Sequence, residues 1–171
     1  MARFDIVGQL GSLRRYARSL TRDGADAEDL VHDALVRAYE RRGTFRAGSN
    51  PRAWLFSIMH NLFIDRMRSR RSEAARVEQA GHLTDASIPA PQDHSVRLAE
   101  VRQAFLALPD EQRSALHLVA VEGLSYQQAA DVIGVPLGTL MSRIGRARAA
   151  LRDMEEGGSK IRPNLRIVGD E

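Results

Sequence analysis

Apolar residues recur along this chain at spacings of three and four, and no stretch alternates long enough to suggest a strand. Ile6, Leu10, Leu13, Ala17 and Leu20 predict a first helix that Gly24 breaks. Ala27, Val31, Ala34, Leu35 and Ala38 predict a second, capped by Asp26 with Asp29 and running to about Tyr39. RRGTFRAGSNP (41–51) reads as a loop closed by Pro51. A long helix follows from about Arg52 to Arg71, with Leu55, Ile58, Met59, Leu62 and Phe63 facing inward. Periodicity fades from about 72 to 95, where TDASIPAPQDHS holds two prolines among small and polar residues. Beyond it come a helix through Leu98, Val101, Phe105 and Leu108, and another after Pro109 through Leu116, Val119 and Val121. The expectation is an all-α fold of two small helical domains, residues 1–72 and 96–156. A flexible linker (73–95) joins them, and a mobile tail (157–171) follows.

The most structured signal lies in SYQQAADVIGVPLGTLMSRIGRARAAL, residues 125–151. Ser125 and Gln128 have the spacing of a capping box. Ala129, Ala130, Val132 and Ile133 give the helix they open a small apolar face. Gly134 stands where the chain must reverse, and Pro136 suits the first turn of a new helix. Projected at about 100° per residue, that new helix turns Leu137, Leu140, Ile144, Ala147 and Leu151 inward. Gly138, Ser142, Gly145, Arg146 and Ala149 fall outward, flanked by Thr139, Met141, Arg143 and Arg148. Small outward residues fringed by guanidinium groups suit close approach to DNA, so a helix-turn-helix is expected. An ordinary helical hairpin with solvated arginines is the plainer alternative.

Charge changes the picture more by its distribution than by its net value of +3. Between Arg22 and Asp33 stand five acids against one arginine, and between Arg46 and Arg76 seven arginines against two acids. From Leu137 to Arg152 there are four arginines and no acid. One acidic and two basic zones imply different partners for different faces, the basic pair suiting a polyanion. No apolar run approaches the roughly 20 residues needed to cross a bilayer. The N-terminal segment lacks the apolar core of a signal peptide, so a soluble, cytoplasmic chain is expected. Cysteine is absent, and the five histidines show no metal-binding or hydrolytic spacing. Neither enzyme activity, nor a metal, nor a cofactor, nor a small-molecule substrate is expected.

Asp26, Asp29, Asp33 and Glu40 share one face of the second helix, a pattern that serves either a solvated surface or docking on a basic protein. Phe45, Asn50, Trp54, His60 and Asn61 lie among arginines 46, 52, 66, 68, 70 and 71. Aromatic and amide groups beside guanidinium groups suit unstacked single-stranded bases. Trp54, on the side of Ile58, fits a core position as well, and Phe45 could anchor the loop.

Taken together, these segments resemble the extracytoplasmic-function (ECF) class of bacterial sigma factors. DAEDLVHDALVRAY (26–39) resembles its region 2.2, PRAWLFSIMHNLFIDRMRSRR (51–71) its regions 2.3 and 2.4, and residues 108–151 its region 4. The resemblance implies docking of Asp26, Asp29, Leu30, His32 and Asp33 on the clamp helices of core RNA polymerase, with a further contact at the flap. It implies capture of a flipped −10 base by Phe45, Ser49, Asn50 and Asn61, with Arg66, Arg68, Arg70 and Arg71 on the backbone. It places Gly138, Thr139, Met141, Ser142, Arg143, Gly145 and Arg146 in the −35 major groove. Met141 and Gly145 depart from the larger or basic side chains frequent there, which shifts readout toward Ser142, Arg143, Arg146 and DNA shape. An anti-sigma factor is the implied regulator. A decoy that titrates an anti-sigma factor and a plain helix-turn-helix regulator are the rival readings.

Overall fold

The computed structural model describes residues 6–78 and 96–159. In order these form α1 (Ile6–Thr21), α2 (Gly24–Glu40), a 3₁₀ turn (Arg42–Thr44), α3 (Pro51–Glu78), α4 (Val96–Ala107), α5 (Asp110–Leu116), a π-helical turn (His117–Val121), α6 (Tyr126–Ile133) and α7 (Leu137–Ser159). No strand occurs among the described residues, as the periodicity predicts.

α1, α2 and α3 pack as a three-helix bundle around Leu13, Tyr16, Ala17, Leu30, Ala34, Leu55, Phe56 and Met59. α5, α6 and α7 enclose a second core of Ala115, Leu118, Ala129, Ala130, Leu140 and Ile144, and α4 lies against α7. The two units are not separate: α3 packs on α6, while α1 packs on α5 and on the π-helical turn.

Several boundaries depart from the sequence expectation. Asp23, not Asp26 or Asp29, is the N-cap of α2. It alone precedes the helix in extended backbone, where its carboxylate can accept from the Asp26 N–H at 2.9 Å. Gly24 opens α2 rather than ending α1, which stops at Thr21. α3 continues to Glu78, because SEAARVE contains good helix formers and neither Gly nor Pro. α7 continues through Gly157 and Gly158 to Ser159, carried by the helix before them. The linker expected over 73–95 therefore begins as helix. Its remainder (79–95), and the tail from 160, lie outside the described residues. Leu98 and Val101, part of the apolar pattern that predicts α4, are exposed.

Candidate nucleic-acid interface

The helix-turn-helix forms as its local signals dictate. The Ser125 Oγ accepts from the Gln128 N–H at 3.1 Å, and Gln128 Oε1 accepts from the Ser125 N–H at 3.0 Å. Gly134 takes φ +75° as the C-cap of α6, and its N–H donates to the Ala130 carbonyl at 2.8 Å. On α7 the projected outward face is exposed: Gly138, Thr139, Met141, Ser142, Gly145 and Arg146 all reach solvent. A Cβ added at Gly138 or Gly145 would meet no atom within 4 Å, so packing does not demand their smallness. Leu137 is a correction: it is 40% exposed, because the first residue of α7 lies beyond the packed core. Arg143 is set apart from its neighbours. Its side chain is only 17% exposed, and its Nη2 pairs with Glu111 at 3.1 Å.

The acidic and basic stripes of the first bundle face each other. Arg66 pairs with Asp33, and Arg70 Nη2 donates to Asp26 Oδ2 at 2.9 Å. Asp29, His32, Arg68 and Arg71 remain exposed and make no ion pair among the described residues. Leu30 is another correction, since it is fully buried in the bundle and offers a partner no surface. In the turn before α3, Asn50 Oδ1 accepts the N–H groups of Arg52 at 3.0 Å and Ala53 at 3.3 Å. Asn50 thus acts as the helix N-cap. Phe45 stacks edge-on against Trp54 with centroids 5.3 Å apart. Both rings are half-buried, so the loop is anchored and Trp54 packs against the core. Ser49 and Asn61 are exposed, Asn61 directly after the buried His60 on α3.

Sequence reasoning missed a buried polar cluster where the two units meet. The Glu122 side chain is fully buried and accepts a bidentate pair from Arg15, Nε to Oε1 and Nη2 to Oε2, each 3.1 Å. Arg52 donates to the same carboxylate, and His117 Nε2 lies 3.1 Å from Oε1. Burial alone would raise this carboxyl's pKa, but the hydrogen bonds from His117, Arg15 and Arg52 outweigh it and hold the pKa at about 2. The π-helical turn makes this possible. In an α-helix, residues five apart point about 140° away from each other. The i→i+5 closure, with the Glu122 N–H on the His117 carbonyl at 3.0 Å, brings both side chains to one side.

Beside it, Arg113 is wholly buried and donates to the Ser19 and Leu20 carbonyls at the end of α1, as well as to Leu108 and Asp110. Burial lowers its pKa despite the Asp110 hydrogen bond. Arg22 reciprocates, donating to the Leu108 carbonyl just past α4 at 3.1 Å. It does so from φ +60°, a left-handed conformation that costs a non-glycine residue about 1 kcal/mol. Each unit thus supplies an arginine to a helix C-terminus of the other, satisfying carbonyls that have no partner within their own helix. Further in, the Tyr16 hydroxyl and His60 Nδ1 share a 2.9 Å hydrogen bond. Burial, with the nearby Arg143 charge, pushes His60 down to about 4. Arg113 was the available signal, a charged residue three positions before Leu116 on the inward face of α5.

Similarity to known proteins matches this geometry. The Sigma-70 region 2 family matches residues 8–73, and the Sigma-70 region 4 family matches residues 98–151. The ECF RNA polymerase sigma factor EcfG of Rhodopseudomonas palustris is 41% identical over 149 residues, 87% of this chain and 82% of that protein. Among solved structures, the sigma factor RpoE in complex with the anti-sigma factor NepR, from Bartonella quintana, superposes with a TM-score of 0.75 at 34% identity, covering 89% of this chain and 94% of that one. CnrH, in complex with the cytosolic domain of CnrY, superposes with a TM-score of 0.63 at 31% identity, covering 89% and 85%. With a three-helix bundle and a helix-turn-helix in the order of regions 2 and 4, the chain belongs to the ECF sigma factors of RNA polymerase.

Proposed function

We propose that this sigma factor binds core RNA polymerase through the exposed acids of α2 and grips a promoter at two points, the −10 element with α3 and its preceding loop and the −35 element with α7. The observation that carries this reading is the exposed one-signed face of α7 together with an acidic α2 on the other unit. Asp29 and Asp33, with Asp26, offer negative charge to a basic partner helix, and His32 lies exposed beside them. Arg68 and Arg71 are open to phosphate, and Arg66 and Arg70 exchange exposed carboxylates for phosphate at little cost, because exposed pairs contribute at most about 1 kcal/mol. Phe45, Ser49, Asn50 and Asn61 frame the place for an unstacked base. Unstacking costs a few kcal/mol per base, so capture of the open strand supplies the drive for melting. The chain acts by binding alone, in the cytoplasm with the polymerase, and an anti-sigma factor like the one bound to RpoE regulates it.

Run-off transcription with core polymerase on sheared genomic DNA tests the reading. Discrete promoter-dependent transcripts are expected, together with co-elution of the chain with core enzyme. Absence of both, with retained binding to an anti-sigma factor, would identify a decoy instead.

A further inference from the structure

The second helix of the helix-turn-helix carries an apolar strip that contact with phosphate does not explain. Leu137 is 40% exposed and Met141 51%, and the two stand four residues apart on α7. One exposed apolar side chain needs no explanation. These two fall within about 40° of each other and lie about 5–6 Å apart, so they form one surface. The other outward residues of this stretch are small or basic. Arg148, exposed and in line with the strip, follows about 10 Å beyond Met141, where it can reach a phosphate.

The neighbours of the strip restrict what can cover it. Gly138 and Gly145 have open space where a Cβ would stand, so the fold does not demand their smallness. Their effect is to let the backbone of α7 come close to whatever lies against it. Arg143 stands on the opposite flank and turns back toward the protein. Its side chain is 17% exposed, it pairs with Glu111 at 3.1 Å, and its charge reaches the buried His60. Arg143 is thus not free to fork onto a guanine, which leaves Arg146 as the open guanidinium of the outward face. In the major groove the apolar group on a base edge is the C5 methyl of thymine. A separation of about 5–6 Å is less than two base steps of about 3.4 Å each. Leu137 and Met141 can therefore meet methyls on adjacent or next-but-one pairs.

Resting on the sigma-factor reading, with α7 in the −35 groove, we infer that Leu137 and Met141 read thymine methyl groups. The −35 element then carries two thymines, adjacent or one apart, beside the base met by Arg146. Met141 is a base reader in its own right, selecting by apolar contact where a basic side chain would select by hydrogen bonds.

Uracil is the probe, because it lacks the methyl and keeps every hydrogen-bonding group of thymine. Holoenzyme assembled from core polymerase and the full chain is used to select duplexes from a library randomised across the −35 region. Fluorescence anisotropy then compares the selected duplex with versions carrying uracil at single thymines. Uracil at each of two positions should weaken binding roughly threefold, and at both about tenfold, as expected for one or two apolar carbons left unburied. Leu137→Ala with Met141→Ala should lose a similar factor on the thymine duplex and almost nothing further on the uracil duplex. Both side chains are exposed, so the fold tolerates the change, which circular dichroism checks. Met141→Leu keeps an apolar side chain and should keep the preference for thymine.

A selected −35 element without thymine overturns the inference, as does a uracil duplex bound as tightly as its thymine parent. Loss of affinity for core polymerase in the double-alanine variant, with discrimination against uracil unchanged, also overturns it, because the strip would then be a protein contact. If no holoenzyme forms, the sigma-factor reading itself falls and takes this inference with it.

Discussion

The ion pairs along α2 and α3 and those at the junction of the two units use the same residue types to opposite ends. Between α2 and α3 the partners stay wet: Arg70 is 61% exposed and Asp26 37%. Such pairs are screened and weak, so either member can be given up to a phosphate or to a protein surface. At the junction Glu122 is fully buried, and its carboxylate has no alternative partner once the units have closed. A buried pair adds little over apolar packing, but breaking it strands a charge, which makes it a device for fixing geometry. Exchangeable pairs therefore line the proposed binding faces, and committed pairs hold the units in place.

The largest effect should come from breaking the committed side. Glu122→Ala should destabilise the chain by about 2–3 kcal/mol in urea unfolding, short of the roughly 3–5 of a fully buried pair because Arg15 is half exposed and can turn to water. A loss below about 0.5 kcal/mol would erase the contrast.

Acid should also act at this side. His60 is held near 4, so its unfolded form takes up a proton near pH 6.5 while the folded form resists. Its contribution is complete above pH 6.5 and lost as pH falls toward 4, about 2 kcal/mol by pH 5. Glu122, held near 2, keeps its contribution above about pH 4.5 and loses it toward pH 2. Thermal melting from pH 7.5 to 5 should show the first loss, and His60→Gln should flatten it.

On the exchangeable side, Arg146 is exposed on α7 and makes no ion pair among the described residues. Arg146→Ala should weaken binding to the cognate −35 duplex by about 1–2 kcal/mol with little change on unrelated DNA, measured by fluorescence anisotropy. Equal loss on both would make it a phosphate contact. The smallest effect belongs to the wet pair: a double-mutant cycle on Asp26 and Arg70 should give a coupling below about 0.5 kcal/mol.

What the sequence disclosed follows the range of the interactions involved. The capping box at Ser125, the left-handed turn at Gly134 and the outward face of α7 are set by residues a few positions apart, and all were legible. So were the two stripes on α2 and α3, though not that Asp26 and Asp33 face Arg70 and Arg66. The buried Glu122 cluster was hidden because Arg15 and Arg52 lie 107 and 70 residues from Glu122. Nothing local marks such a pairing, and a glutamate before Gly123 reads as an ordinary helix end. Leu30 was misplaced for a different reason: it was carried over with the resemblance to region 2.2, although its helical phase with Ala27 and Ala34 puts it inside.

The π-helical turn carries one residue more than a regular helix would need. Deleting Ala120, an exposed position within it, would let α5 run on as ordinary α-helix with Glu122 four residues after His117, about 40° from it, so the aim at Arg15 would be kept. Only a change that leaves five residues in α-helical geometry turns it away. The helix-turn-helix beyond Gly123 would be untouched in its own packing. Insertion at this one point, which would turn Glu122 out of that phase, therefore gives evolution, or an engineer, a dial on the contact between the units without rewriting the surface that reads DNA.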